Sequence, residues 1–283
     1  MIIYHPAPPC YNLAQMYNEF YGFRENPFNI TADPEFFFSS VHHAEAFSHL
    51  VFGIKQRKGI LVITGEIGTG KTTLCRMLLN RLDDKTKTAL ILNPDFSDIQ
   101  LIQLIVKDLG IGGKLTNKND LISALNQFLL DETTKGNNVV LIIDEAQNLG
   151  VKQLEQVRLL SNLETEKEKL LQIILVGQPE LADKLKLPEL RQLNQRVTVR
   201  FHILPLDETE VADYISHRLS FASSNGSQRV QFTPKAMELI YRYSQGTPRM
   251  INILCDRALL AGFIGESRMI DELLIEKCAR EIL

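Results

Sequence analysis

The chain is poor in the features that sulfur-stapled, metal-stapled and membrane-embedded proteins need. Its 283 residues include four cysteines, Cys10, Cys75, Cys255 and Cys278, with no C-x-x-C pair among them. That usage indicates neither a disulfide framework nor a zinc site. Cys75 and Cys255 fall in apolar helical patterns and read as small core residues. No apolar run approaches the ~18 residues that a membrane-crossing helix requires. The opening Met1-Ile2-Ile3-Tyr4-His5-Pro6-Ala7-Pro8-Pro9 has no basic start and no long apolar stretch, so it does not read as a signal peptide. These absences make the cytoplasm the expected location. There are no repeats and no low-complexity tract. Positive charge is not in excess either: net charge is −3 and the pI is about 6.1, which does not favour a broad nucleic-acid-binding face.

What is present is enough apolar sequence, 45% of residues, to bury a full α/β core. Strand-like runs occur at 60–64, 88–92, 139–143, 171–176 and 197–203. Helical spacing occurs at 41–57, 71–82, 98–109, 119–132 and 151–164. Strands alternating with helices predict a parallel sheet covered on both faces, with ligands at the carboxyl ends of its strands. From Asp207 onward strands stop, and helical patterns at 207–221, 234–244, 248–262 and 271–282 predict a small all-helical C-terminal domain. Residues 1–15 are proline-rich and read as loosely ordered. Residues 16–40 are aromatic and aperiodic, as expected of a segment laid across the core. The domain reading is therefore 1–40 as an N-terminal extension and aromatic segment packing on the core, 41–206 as the core, and 207–283 as a helical lid.

The most informative stretch is Gly65-Glu66-Ile67-Gly68-Thr69-Gly70-Lys71-Thr72, a complete G-x-x-x-x-G-K-[ST] loop. Ile60–Thr64 before it reads as a buried strand, and Thr72-Thr73-Leu74 onward as a helix. Strand, glycine loop and helix together make a phosphate site. The glycines let backbone N–H groups turn inward toward an anion, and the helix start adds partial positive charge. Lys71 would reach the β- and γ-phosphates, and the Thr72 hydroxyl would bind Mg²⁺.

A second half of such a site follows. Val139–Ile143 is a buried-strand run ending in Asp144-Glu145. Two carboxylates there need a positive partner. Asp144 would hold the Mg²⁺ shell, and Glu145 would orient and deprotonate an attacking water. Gln178 ends the fourth strand run and would face the γ-phosphate if the strands are ordered as such sites require. Arg191 and Arg196 precede the fifth strand; either is a surface cation or a group that reaches a neighbouring subunit's nucleotide. Gly246-Thr247-Pro248-Arg249 opens a helix, from which Arg249 would project back toward phosphates.

Together these motifs, in this order, resemble the AAA+ ATPases: Walker A at 65–72, Walker B at Ile143-Asp144-Glu145-Ala146-Gln147, an arginine-finger candidate at Gln195-Arg196 and a sensor at 246–249. Upstream, Met16-Tyr17, Phe20-Tyr21-Gly22-Phe23-Arg24-Glu25-Asn26-Pro27-Phe28, Ala32-Asp33-Pro34 and His43-Ala44-Glu45-Ala46 look like the ExeA/GspA-type ATPases of the general secretion pathway, as does Val176-Gly177-Gln178-Pro179-Glu180-Leu181. The resemblance covers residues 16 to about 280. It implies a P-loop AAA+ three-layer αβα sheet with a small helical lid, ATP and Mg²⁺ as ligands, ATP-dependent rings or dimers, and an inner-membrane secretion or pilus component as partner, the chain itself being at most peripheral to that membrane. It also makes Pro27, Phe28 and His43 candidates for enclosing the adenine.

Two departures qualify the resemblance. Family members commonly begin near the Met-Tyr at 16–17, so residues 1–15 read as an extension or an upstream start. The longer secretion proteins continue into a membrane span and a peptidoglycan-binding domain that Leu283 does not reach. The leading functional expectation is an envelope-assembly ATPase for type II secretion, a type IV pilus or exopolysaccharide export. The alternative is a DNA-binding transposition helper, with Lys55-Gln56-Arg57-Lys58, Arg191, Arg196 and Arg200 as a phosphate-facing strip. A nucleotide-gated scaffold with little turnover is a third reading, opposed by the intact Glu145.

Overall fold

The computed structural model describes residues 13–282 apart from 93, 95, 96, 114, 116, 167 and 225–229. The proline-rich stretch up to residue 12, with Cys10, lies outside the described residues. The chain separates into two units, one of residues 32–204 and the other combining the N-terminal residues up to Thr31 with Pro205–Leu283. In chain order the elements are α1 (Leu13–Tyr21), α2 (Val41–Lys55), β1 (Ile60–Gly65), α3 (Lys71–Arg81), β2 (Thr86–Ile91), α4 (Asp98–Asp108), α5 (Lys118–Thr134), β3 (Asn138–Ile143), α6 (Val151–Leu160), β4 (Gln172–Gly177), α7 (Pro179–Lys184), α8 (Arg191–Arg196), β5 (Val197–Ile203), α9 (Glu208–Ala222), β6 (Gln231–Phe232), α10 (Pro234–Ser244), α11 (Pro248–Ile264), β7 (Met269–Ile270) and α12 (Glu272–Ile282).

The first unit is a five-stranded parallel sheet in the order β2-β3-β4-β1-β5. Its central strands are apolar at nearly every position because both faces are covered. Residues alternate between the faces, as strand geometry demands. Ile60 and Val62 join a core with helices α4 to α8, whereas Leu61 and Ile63 join one with α2 and α3. Register sets the strand ends level: Thr64 pairs with Gly177, and Ile143 with Leu175. The phosphate loop, Asp144-Glu145 and Gln178 therefore leave one edge of the sheet side by side.

The second unit is helical, with one exception to the expected absence of strands: β6 and β7 form a two-residue parallel pair, Gln231 with Met269 and Phe232 with Ile270. A larger difference concerns the aromatic segment. Expected to lie across the core as one piece, it divides at residue 31/32. Its first part forms α1, which was not among the expected helices. Tyr17 donates to Asp256 Oδ1 at 2.7 Å, and Tyr21 donates to the carbonyls of Leu259 and Ser267. Burial pushes the Tyr21 hydroxyl up to about 12. Buried Arg218 donates to the carbonyls of Pro27 and Asn29 and to the Tyr214 hydroxyl, and Phe28 packs edge-on against Phe232. Aromatic rings and hydrogen bonds thus attach residues 17–29 to the C-terminal helices. The second part begins at Ala32, whose carbonyl accepts from Arg76 of α3 at 2.7 Å.

Candidate functional site

The loop between β1 and α3 is shaped by its glycines. Gly70, the N-cap of α3, has φ 91°, a left-handed backbone that glycine adopts without penalty. Gly65 allows close approach: a Cβ there would stand 2.8 Å from the Ile203 carbonyl oxygen. Thr69 ties the loop to itself, its Oγ1 donating to the Glu66 carbonyl at 2.8 Å. No side chain caps the start of α3. The first-turn N–H groups have no intrahelical acceptor, so the helix start is open to an anion. This observation fits a phosphate group.

Lys71 is 6% exposed, and its Nζ donates to the carbonyls of Gly65 and Glu66, each at 2.8 Å. Burial lowers its pKa, while Glu145, Asp144 and Glu66 pull it the other way. Thr72 Oγ1 donates to Asp144 Oδ2 at 2.6 Å. Asp144 is 2% exposed, and its other oxygen accepts the Glu145 N–H at 2.9 Å. Burial raises the Asp144 pKa and the Glu145 charge adds to this; the Thr72 and Glu145 hydrogen bonds and the Lys71 charge oppose it. A carboxylate disfavoured by burial beside a hydroxyl is a donor set that suits Mg²⁺, which is held by one or two protein ligands and completes its shell with water and phosphate. The described residues contain no group of three or more His, Cys, Asp or Glu side chains able to hold a metal.

Glu145 has φ 53°, an uncommon conformation for a non-glycine residue and one that tends to mark functional sites. The turn points its side chain into a small amide network. Gln147 Nε2 donates to Glu145 Oε2 at 2.6 Å, Gln178 Nε2 approaches the same oxygen at 3.4 Å, and the Gln178 N–H donates to Gln147 Oε1 at 3.0 Å. Lys184 of α7 closes the back of this turn by donating to the carbonyls of Gln147 and Leu149. Gln147 and Lys184 were not among the sequence candidates. Gln147 follows the carboxylate pair by two positions, which was the available signal; Lys184 gave none.

His43, 3% exposed on α2, meets the loop itself. Its Nε2 lies 2.8 Å from the Thr69 carbonyl oxygen, and its Nδ1 lies 2.7 Å from Ser40 Oγ. A carbonyl only accepts, so Nε2 carries the proton and Nδ1 accepts from the serine hydroxyl. Ser40 is also the N-cap of α2, accepting the His43 N–H. His43 was a candidate for enclosing adenine; in the structure it braces the phosphate loop.

Arg191 and Arg196 stand apart from this cluster. They begin and end α8, just before β5. Val197 pairs with Ile60 at the start of β1, so these arginines lie at the amino-terminal edge of the sheet, opposite the edge where their own loop lies. Arg200 is held by Asn194, and Arg57 is paired with Glu168. Two cations of the suggested basic strip are thus already engaged. Pro27, Phe28 and Arg249 belong to the helical unit, where Arg249 is the second residue of α11 and exposed.

Residues 54–185 match the family described as AAA domain. Over 256 residues the chain is 43% identical to General secretion pathway protein A of Aeromonas hydrophila, covering 90% of this chain and 46% of that protein. The chain therefore spans about half the length of this curated relative. Among solved structures, it is similar to Cdc6p from Pyrobaculum aerophilum, with TM-score 0.67 and 18% identity over 88% of this chain and 70% of the other. It is also similar to the ORC2 protein of Aeropyrum pernix in its ADPNP-ADP complexes (TM-score 0.63, 17% identity, 84% and 66% coverage) and to Drosophila ORC bound to DNA (TM-score 0.65, 17% identity, 100% and 69% coverage). At these identities the structural likeness is one of fold. No helix among the described residues is long and apolar enough to cross a membrane.

Proposed function

Because this chain belongs to the AAA+ ATPases, as a relative of general secretion pathway protein A spanning about half of that protein's length, we propose that it hydrolyses ATP with Mg²⁺ and that the cycle drives or regulates assembly of a cell-envelope system. Secretion, a type IV pilus or exopolysaccharide export would each suit that role, with the chain on the cytoplasmic side of the inner membrane. The observation that carries the reading is the 2.6 Å hydrogen bond from Thr72 to Asp144, with Glu145 held beside it by Gln147.

In this reading the loop residues Gly65 to Thr73 wrap the phosphates of ATP. Lys71 is withdrawn onto two carbonyl oxygens of its own loop and would exchange them for phosphate oxygens. Thr72 and Asp144 would hold Mg²⁺, which when bound neutralises charge between the β- and γ-phosphates. Glu145 takes the proton of the attacking water, and its amide partner Gln147 fixes which oxygen stays engaged. Gln178 shares that oxygen and faces the same edge. His43 acts through Thr69 by holding the loop backbone. Arg196 or Arg191 would serve a neighbouring chain, because both stand at the sheet edge away from their own loop. That geometry favours an ATP-dependent oligomer. By the resemblance, Arg249, Pro27 and Phe28 would also contribute to nucleotide binding.

The test is ATP turnover by the purified chain over a range of protein concentrations, with and without duplex DNA. Turnover per chain that rises steeply with concentration and ignores DNA is the expected result. Strong stimulation by DNA would favour the transposition-helper reading instead. No turnover at any concentration would sink the hydrolase assignment.

A further inference from the structure

The amino-terminal edge of the same sheet carries a second concavity that nucleotide hydrolysis does not use. It is a half-open cavity of about 530 Å³ at the ends of α2 and α3 and the starts of β2 and β3, within the size range of small-molecule sites. Phe47, Val51 and Leu82 give it an apolar floor, packed against the core. Lys55, Arg57, Arg81 and Lys85 line it against one carboxylate, Asp83, which already accepts from the Thr86 hydroxyl at 2.8 Å. Among the described residues Lys55, Arg81 and Lys85 make no ion pair.

Arg57 is the unusual member. Its Nε pairs with Glu168 at 3.2 Å and its Nη2 donates to the Asn137 carbonyl at 3.0 Å, so the guanidinium is fixed. Its Nη1 is buried and has no hydrogen-bond partner among the described residues. Such an orphaned buried donor is costly. The backbone adds to this. The Lys58 N–H bonds to the Gly53 carbonyl and the Arg57 N–H to the Ile54 carbonyl, the pattern that closes a helix with a left-handed residue, usually glycine. Arg57 fills that position with φ 48°. A strained backbone and an unpaired cationic donor therefore coincide at one residue lining a basic cavity. An anion accepting from this guanidinium would satisfy the donor left over.

We propose that this cavity binds a phosphorylated small molecule with an apolar or aromatic body, its phosphate on the basic rim and its body over Phe47, Val51 and Leu82. The site is separate from the phosphate loop. Helix α3 begins at the loop with Lys71 and reaches the cavity with Arg81, a rise of about 15 Å. Occupancy here does not depend on Glu145 or on turnover.

The experiment uses the full chain saturated with ADP, so that the phosphate loop is filled. 1-Naphthyl phosphate, inorganic pyrophosphate and phosphatidylglycerol vesicles are titrated in turn, followed by calorimetry and by the methyl resonances of Val51 and Leu82. The expected result is 1:1 binding of naphthyl phosphate that shifts both methyls and weakens at least tenfold in a Lys55→Ala/Lys85→Ala variant. Both lysines are exposed, so this variant keeps its melting temperature. The site also persists in Lys71→Ala, which separates failure here from failure of the nucleotide reading. Vesicles that shift the same methyls would identify the natural ligand as lipid, and vesicles without effect would identify it as a free metabolite. Absence of methyl shifts at millimolar naphthyl phosphate, or equal affinity in the double variant, overturns the proposal.

Discussion

The hydroxyl of Thr72 and the carboxylate of Asp144 meet at 2.6 Å across 72 residues of sequence. The contact joins the first turn of α3 to the end of β3. In it the Asp144 carboxylate is buried, accepting from this hydroxyl and one backbone N–H, and burial raises its pKa above the ordinary carboxylate value.

A carboxyl with a raised folded-state pKa keeps its proton in the folded chain at pH values where the unfolded chain has lost it. Its contribution therefore favours folding at acid pH and is lost as pH rises through the folded value. Asp144→Asn removes that slope. At neutral pH the nucleotide-free variant should melt higher than the parent, by on the order of 1 kcal/mol. It should also lose the extra stability that Mg²⁺ and ATP confer together on the parent. Melting curves across a pH series, with and without Mg²⁺-ATP, check both; a variant that melts lower without ligand contradicts the argument.

Glu145→Gln should lower turnover by about 10²–10⁴-fold while ATP affinity stays within a few-fold. The amide keeps the shape that Gln147 holds but cannot take a proton. Single-turnover hydrolysis and equilibrium binding of labelled ATP separate the two effects, and unchanged turnover would remove Glu145 from the role of base.

His43→Ala should weaken nucleotide binding without touching the phosphates, because it frees the Thr69 carbonyl that the imidazole holds at 2.8 Å. His43→Gln, which restores a donor, should recover part of the loss. Gly70→Ala strikes the same contact from the other side: its φ is 91° and a Cβ would come within 3.1 Å of His43 Nε2. A cost of about 1–2 kcal/mol is expected in thermal melts, with nucleotide affinity falling as well. Equal affinity in His43→Ala and His43→Gln would remove the hydrogen bond from the explanation.

In the helical unit, Gly246→Ala should be among the most damaging single changes. A Cβ there would stand 1.9 Å from the Leu206 carbonyl oxygen, and φ is 70°. Backbone is on the other side of the clash, so the loss should be on the order of 3 kcal/mol, seen as a lowered melting transition. Arg249→Ala, on an exposed residue of the same turn, should leave that transition in place.

Much of the sheet was legible because its strands are buried on both faces and read as unbroken apolar runs such as Val139–Ile143. The phosphate loop was legible because its glycines and lysine lie within eight consecutive positions. What could not be read depends on register and long-range partners. Nothing local to Lys184 shows that it will reach the carbonyls after Glu145, and His43 pairs with Thr69 only once α2 lies along the loop. The short helix α1 was legible and was missed: Leu13, Met16, Tyr17, Phe20 and Tyr21 follow helical spacing, although the partners of Tyr17 and Tyr21 lie more than two hundred residues away. Arg57 gave no warning of a left-handed turn, since glycine is the usual signal there.

The division of the chain at Thr31 and Leu204 has a consequence for biosynthesis. The nucleotide unit is one uninterrupted stretch and can finish folding while the ribosome is still adding residues. The helical unit cannot: the segment holding Pro27 and Asn29 leaves the ribosome early, and its anchor Arg218 arrives only after the whole sheet has been made. During that interval Tyr17, Tyr21 and Phe28 have no permanent partners. Translation thus creates a waiting period for these aromatic residues, ended only when α9, β6 and α11 emerge to cover them.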